Sequence, residues 1–205
     1  MEYALLRSLR ALGPGLILLG YFDLFLLLVL DRAPIFWQLD SAKLLLSGYV
    51  VGGVYGVFAS FLKRDRHAFG GVNQSILDNL QKFFPEVRGL KWEEVSPCYY
   101  NLIDNDRSLE QKSKGLYFNG FVVTTSFDAV WISLLASVLG GVSVLCMGRW
   151  QYLVLALAVC ASSYVVWRIS VRRHQDLSAG QVNVIGRRLA TDFRACLLPF
   201  RESRG

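Results

Sequence analysis

The sequence has few of the residues from which catalytic and metal sites are usually built. It contains only 2 histidines among 205 residues, and neither stands at zinc-ligand spacing from a cysteine. It also lacks a phosphate-binding glycine loop, a Gly-x-Ser-x-Gly elbow and a His-Glu-x-x-His pair. We therefore expect no enzyme activity, no catalytic residue, no resident metal and no cofactor.

Cysteine is scarce as well, and its spacing gives no sign of a pair. The 4 cysteines include no Cys-x-x-Cys motif; they are Cys98, Cys146, Cys160 and Cys196. Two fall in apolar runs and two in polar segments. We expect all four to be free thiols in a reducing or lipid environment.

Charged residues make up only 19% of the chain, whereas hydrophobic residues make up 53% and the mean hydropathy is +0.36. Four long apolar runs carry this excess, at residues 12–30, 44–62, 121–146 and 152–167. A helix needs about 20 residues to cross the hydrocarbon core, and lipid requires every backbone polar group to be bonded internally. We predict an all-α polytopic membrane protein with four transmembrane helices plus short cytoplasmic helices.

These runs divide the chain into four parts. Residues 1–62 should hold the first two transmembrane helices and residues 121–170 the last two. Residues 63–120 should form a cytoplasmic helical insertion, in which residues 73–84 are amphipathic and Ser96-Pro97 begins a second helix. Residues 171–205 should form a basic amphipathic tail.

Lysine and arginine are distributed unevenly between the two sides of the membrane. Only Arg32, Lys43 and Arg149, of 22 basic residues, fall between the first and second or the third and fourth runs. The positive-inside rule therefore places both termini and the middle segment in the cytoplasm. The net charge of +6 is then mostly close to the membrane, so we expect contact with membrane lipids and no direct binding of nucleic acid.

Small residues recur at four-residue spacing in the second and third runs, and the third-run series begins at Ala129. Such faces let two helix backbones approach closely in lipid, either within one protomer or between protomers. The predicted packing residues are Gly48, Gly52, Gly56, Ser60, Ser133, Ser137 and Gly141.

Three polar residues within the runs are candidate functional residues, because polar groups in lipid are costly unless they face protein or water. Asp23, beside Tyr21, should bond a hydroxyl on a neighbouring helix, from Tyr49, Tyr55, Thr124, Thr125 or Ser126, or it should line a path for ions or protons. Asp128 should cap a broken helix or meet Arg168.

The tail combines an apolar stripe with cations that lie largely off it. The stripe consists of Val182, Ile185, Leu189, Phe193 and Cys196. This pattern fits a helix that lies on anionic lipid, packs on the middle segment or holds a soluble partner. The docking residues that we predict are Arg172, Arg173, Arg187, Arg188 and Arg194.

The layout of two short outer loops, a cytoplasmic segment at residues 63–117 and a basic tail resembles the small four-span membrane subunits of bacterial anti-phage systems, such as the Kiwa-type membrane protein. The resemblance is one of architecture and covers the whole chain. It implies an oligomeric inner-membrane sensor or effector that works with a cytoplasmic partner.

Two functions follow as hypotheses. The first is a non-enzymatic membrane component of a defence system, present as a homo-oligomer with a tetramer as the favoured number, because closed symmetry multiplies a small unit. The alternative is a small oligomeric channel or transporter in which Asp23 and Tyr21 line a polar path.

Overall fold

The computed structural model describes residues 2–61 and 67–202, and every regular element within them is helical. Four of the helices are long and apolar enough to cross a membrane, at Arg10–Leu28, Ser41–Phe61, Leu109–Met147 and Gln151–Arg188. This confirms the predicted all-α polytopic fold. The predicted end of the second span at Leu62, and the first residues of the insertion, lie outside the described residues.

Seven helices are numbered here in chain order over the described residues. They are α1 (Glu2–Leu28), α2 (Ser41–Phe61), α3 (Val72–Phe83), α4 (Trp92–Asn105), α5 (Arg107–Met147), α6 (Gln151–Arg188) and α7 (Ala190–Glu202). Two short 3₁₀ helices lie at Phe36–Gln38 and Pro85–Val87.

The chain forms two compact units, and α5 and α6 contribute residues to both. The membrane unit comprises residues 1–68 and 121–169. The polar unit comprises residues 69–120 and 170–205. The tail therefore packs with the insertion in one unit, which was one of the three alternatives left open for it.

Side-chain carboxylates begin two of the helices. Asp40 accepts a hydrogen bond from the backbone N–H of Lys43 at 2.9 Å, which satisfies one of the free donors at the start of α2. That N–H and the Lys43 ammonium lower the pKa of Asp40. Asp106 caps the start of α5 in the same way, because its carboxylate accepts the backbone N–H of Leu109 at 3.0 Å.

Close approach of α1 and α2 depends on small residues, and the prediction for this face is only partly right. A Cβ added to Gly52 would overlap the carbonyl oxygen of Ala11, and one added to Gly15 would overlap that of Gly48. A Cβ on Gly56 would meet nothing within 4 Å, and Ser60 is exposed. The α1–α2 contact therefore uses the first half of the predicted face and leaves the second half open.

The small residues of α5 also differ from their predicted roles. Gly140, not Gly141, makes the close contact, since a Cβ there would lie 2.8 Å from the Cα of Leu153. Ser133 is fully buried, and Ser137 donates its hydroxyl to the carbonyl of Ser133 at 2.8 Å. The close α5–α6 contact within the protomer therefore lies beside the Ser133–Gly141 stripe, and a contact of Gly141 between protomers stays a prediction.

The polar unit has its own apolar core. Phe84 and Phe193 are fully buried, with ring centroids 4.6 Å apart, and Gly186 lies directly against the ring of Phe83. Burial of one such phenylalanine contributes about 1.5–3 kcal/mol. The apolar stripe predicted for the tail is thus packed inside the polar unit, where its members Val182, Ile185 and Phe193 are buried together with Leu197.

Two local predictions for the polar unit are wrong. Helix α4 begins at Trp92 and contains Pro97, because Glu94 accepts the N–H of Lys91 at 2.7 Å and thereby caps an earlier start. The tail is not one amphipathic helix: it comprises the end of α6 and then α7, with a break at Leu189.

Candidate functional site: a basic cleft in the polar unit

Asp23 is fully buried, but its partners are not the hydroxyl groups that the sequence suggested. Its two carboxylate oxygens accept the backbone N–H groups of Ile35 at 2.9 Å and Trp37 at 2.7 Å. These donors belong to the loop around the 3₁₀ helix Phe36–Gln38, where no earlier residue supplies a carbonyl acceptor to them. Asp23 therefore anchors the loop between α1 and α2.

Tyr21 lies in the apolar core of the membrane unit. Its hydroxyl donates to Ser133 Oγ at 2.7 Å, and its carbonyl accepts the Tyr152 hydroxyl at 3.4 Å. The rings of Phe25 and Tyr152 meet edge to face with centroids 5.5 Å apart. These contacts satisfy polar groups inside a packed helical core, so Tyr21 and Ser133 have a structural role.

Asp128 neither caps a broken helix nor pairs with Arg168. It lies inside the continuous helix α5, it is 1% exposed, and Tyr55 donates its hydroxyl to Asp128 Oδ1 at 3.1 Å. Arg168 instead lies over the ring of Trp167, 5.9 Å from its centroid. Asp128 thus links α2 to α5 through a hydrogen bond.

The docking arginines predicted for the tail separate into two groups. Arg194 forms an ion pair with Glu86 at 3.3 Å and lies 5.7 Å over the ring of Phe84, so it holds α7 to the rest of the polar unit. The other four arginines are exposed, and within the described residues no carboxylate lies within 4.0 Å of their guanidinium groups: Arg172, Arg173, Arg187 and Arg188.

A cleft of about 410 Å³ opens beside two of these arginines. It lies between α5 and α6, and its lining residues are Lys112, Gly180, Asn183, Val184, Arg187 and Arg188. The lining has three cations and no carboxylate. Lys112 was not predicted, because nothing in the sequence shows that its position on α5 faces the last turns of α6.

A buried hydrogen bond between two side chains lies next to one wall of the cleft. Tyr99 donates its hydroxyl to Gln181 Oε1 at 2.7 Å, and both side chains are about 1% exposed. Burial is the main cause that raises the pKa of Tyr99 above its ordinary value. Gln181 follows Gly180 of the lining, so this hydrogen bond fixes α6 next to the cleft.

A disulfide bond closes the polar unit, which overturns the prediction of four free thiols. Cys98 of α4 is bonded to Cys196 of α7, with their Cα atoms 5.7 Å apart and a sequence separation of 98. Only Cys146 and Cys160 are free. Sequence spacing could not reveal the pair, because the two cysteines meet only when the tail folds back onto the insertion.

The described lining of the cleft can hold an anion, because its three cations are accompanied by the amide of Asn183 as a hydrogen-bonding group. Comparison of the chain with protein-family models, with curated proteins and with solved structures gives no match to any of them.

Proposed function

We propose that the chain is a non-enzymatic membrane component whose polar unit lies in the cytoplasm and binds an acidic protein partner. The observation that carries this proposal is the set of exposed arginines without carboxylate partners in the described structure. Val182, Ile185 and Phe193 of the tail are buried inside the polar unit and are not available to a partner, whereas the four arginines are exposed. Complementary charge speeds association and selects partners.

Charge asymmetry supports the cytoplasmic orientation. The polar unit carries many of the chain's lysines and arginines, whereas the α1–α2 and α5–α6 connections and the first turn of α2 carry Arg32, Arg149 and Lys43. Lys43 is paired with Asp40 at 2.9 Å, and Arg149 forms an ion pair with Asp31, so the basic charge of those loops is partly neutralised. The positive-inside rule then orients both termini toward the cytoplasm of the inner membrane.

The surface of α2 supports a homo-oligomer, for which a tetramer is our working number. Within one protomer, Gly56 has no neighbour that a Cβ would meet and Ser60 is exposed. The same helix exposes large apolar side chains, among them Val57 and Phe58. Open small-residue positions among apolar ones are typical of contacts between transmembrane helices of different protomers.

A role as sensor or effector in a bacterial defence system is the biological context that we propose. It is supported by the resemblance in layout to the membrane subunits of anti-phage systems. The alternative function, a channel or transporter, is less well supported, because both oxygens of Asp23 are occupied by backbone N–H groups of a loop. Those contacts leave Asp23 poorly suited to line a path for ions.

The proposed docking is tested by reversing charge at Arg172 and Arg173, which lie outside the cleft lining. The double variant Arg172→Glu/Arg173→Glu should lose the proteins that copurify with the wild type from native membranes, since an acidic surface repels an acidic partner. The matched control is Arg88→Glu/Arg107→Glu, an equal change of charge at two exposed residues of the same unit. Equal recovery of partners by both double variants would refute docking at Arg172 and Arg173.

A further inference from the structure

We infer that the cleft lined by Lys112, Arg187 and Arg188 is a binding site for a phosphate-bearing small molecule. This inference does not depend on the proposed protein partner, whose docking residues Arg172 and Arg173 lie outside the cleft lining. It rests on the charge, the size and the chemical character of the lining.

The three cations of the cleft are held together without a compensating anion in the described part of the chain. Lys112 comes from α5, and Arg187 and Arg188 come from the last turn of α6. All three side chains are exposed, and like charges that line one cleft repel one another. A bound anion removes this repulsion, and the cluster therefore favours an anionic occupant.

The position of the arginines at a helix end does not by itself explain the cluster. Cations in the last turn offset the negative end of the helix dipole, which accounts for Arg187 and Arg188 without any ligand. Lys112 is different, because it lies five residues after the start of α5, on the other wall of the cleft. The helix dipole acts mainly within the first turn, so helix-end electrostatics do not account for this third cation beside the two arginines.

Phosphate is the anion that these residue types suit best. The arginine guanidinium presents a planar fork of N–H donors that matches phosphate oxygens, and the lysine ammonium adds a compact point charge. The cleft also contains the aliphatic side chain of Val184, the bare backbone of Gly180 and the amide of Asn183. An occupant with a phosphate group and a less polar part would use both kinds of surface.

The volume of the cleft agrees with a small molecule. Its approximately 410 Å³ lies within the range of about 300–1,000 Å³ that is usual for small-molecule sites. The same chemistry is available from a soluble phosphorylated compound and from the headgroup of an anionic lipid. The experiment therefore has one arm for each source.

The test uses the full-length protein in nanodiscs of neutral phosphatidylcholine. In the soluble arm, ATP and pyrophosphate are titrated and binding is followed by calorimetry. In the lipid arm, cardiolipin is added to the nanodiscs and protein-bound cardiolipin is measured by native mass spectrometry. We expect binding in one arm, and we expect Lys112→Gln and Arg187→Gln/Arg188→Gln each to weaken it about tenfold or more, since hydrogen bonds to charged groups contribute about 1.5–3 kcal/mol.

The matched control is Arg88→Gln, which removes one exposed charge from the same unit away from the cleft lining and should leave binding within about twofold of the wild type. Thermal unfolding of each variant verifies that the polar unit is intact. The inference is overturned if no probe binds in either arm, or if Lys112→Gln binds as tightly as Arg88→Gln. Loss of partner recovery in Arg172→Glu/Arg173→Glu is a separate result, so the two proposals fail independently.

Discussion

At the scale of single residues, the polar side chains of this protein are mostly structural. Asp23 holds a loop, Tyr21 satisfies Ser133, and Asp128 accepts from Tyr55. Each lies in a low-dielectric setting, where an unsatisfied polar group would cost several kcal/mol. Four exposed arginines of the polar unit are the exception, because within the described residues no carboxylate lies within 4.0 Å of their guanidinium groups: Arg172, Arg173, Arg187 and Arg188.

The hydrogen bond from Tyr99 to Gln181 gives a prediction at this scale. Tyr99→Phe should lower the free energy of unfolding by about 1–3 kcal/mol, because it leaves the buried Gln181 Oε1 without a donor. Tyr100→Phe, at a neighbouring residue that is 45% exposed, is the matched control and should cost less than half as much. Denaturant unfolding of the two variants measures the difference, and equal losses would contradict the structural role of this bond.

Tyr99 also makes the free energy of unfolding depend on pH, and it lowers this free energy at high pH. Burial raises the pKa of Tyr99 in the folded protein above the value of 10.0 expected in the unfolded chain. The contribution of Tyr99 to the free energy of unfolding is therefore complete below about pH 10. It decreases as the pH rises further, by about 1.36 kcal/mol per pH unit for one group. Between pH 10 and 11 the stability of Tyr99→Phe should fall less steeply than that of the wild type.

At the scale of elements, helix packing depends on where backbones touch. Gly52 of α2 lies against the carbonyl of Ala11, whereas Gly56, one turn later, faces open space within the protomer. The sequence predicted both as members of one face, because four-residue spacing shows which residues share a side of a helix and not how far along it the neighbouring helix remains in contact.

Substitution of these two glycines separates packing within a protomer from packing between protomers. Gly52→Leu should destabilise the α1–α2 contact by about 1–3 kcal/mol or more, since a side chain there has no room. Gly56→Leu should leave the stability of the protomer nearly unchanged and should reduce the size of the oligomer. Thermal unfolding and native mass spectrometry in detergent provide the two measurements, and a large loss of protomer stability in Gly56→Leu would contradict this assignment.

The disulfide bond joins two elements that lie far apart in the sequence. Because it closes a long loop, its removal by Cys98→Ser/Cys196→Ser should lower the stability of the polar unit by about 2–5 kcal/mol. The matched control is Cys160→Ser, which replaces a free thiol. Alkylation of the denatured, unreduced protein followed by mass spectrometry should modify Cys146 and Cys160 and leave Cys98 and Cys196 unmodified. Alkylation at all four positions would show that the bond is absent.

Much of the fold could be predicted from the sequence, and little of the candidate site. The apolar runs gave the four spans because lipid accepts little besides a long apolar helix. The partners of Asp23 could not be predicted, since they are backbone N–H groups of a loop, which carry no sequence signal. Lys112 and the Cys98–Cys196 bond were missed for a related reason: both depend on contacts between segments that are distant along the chain.

At the scale of the whole molecule, two observations bear on the orientation in the membrane. The asymmetry of basic residues is the basis of our proposal that the polar unit lies in the cytoplasm. A disulfide bond is rare in that compartment and is usually transient or redox-sensing there, whereas outside it would be a permanent part of the structure. The side on which the polar unit lies therefore decides both where a partner binds and what the disulfide does.

The central claim is that the polar unit with its basic cleft faces the cytoplasm, and site-directed labelling tests it most directly. Trp37→Cys and Arg88→Cys are each introduced into Cys146→Ser/Cys160→Ser, and intact cells are treated with a membrane-impermeant maleimide. The account predicts that Trp37→Cys is labelled at once and that Arg88→Cys is labelled only after the membrane is permeabilised. Labelling of Arg88→Cys in intact cells, with Trp37→Cys protected, would contradict the account and would place the cleft and the disulfide outside.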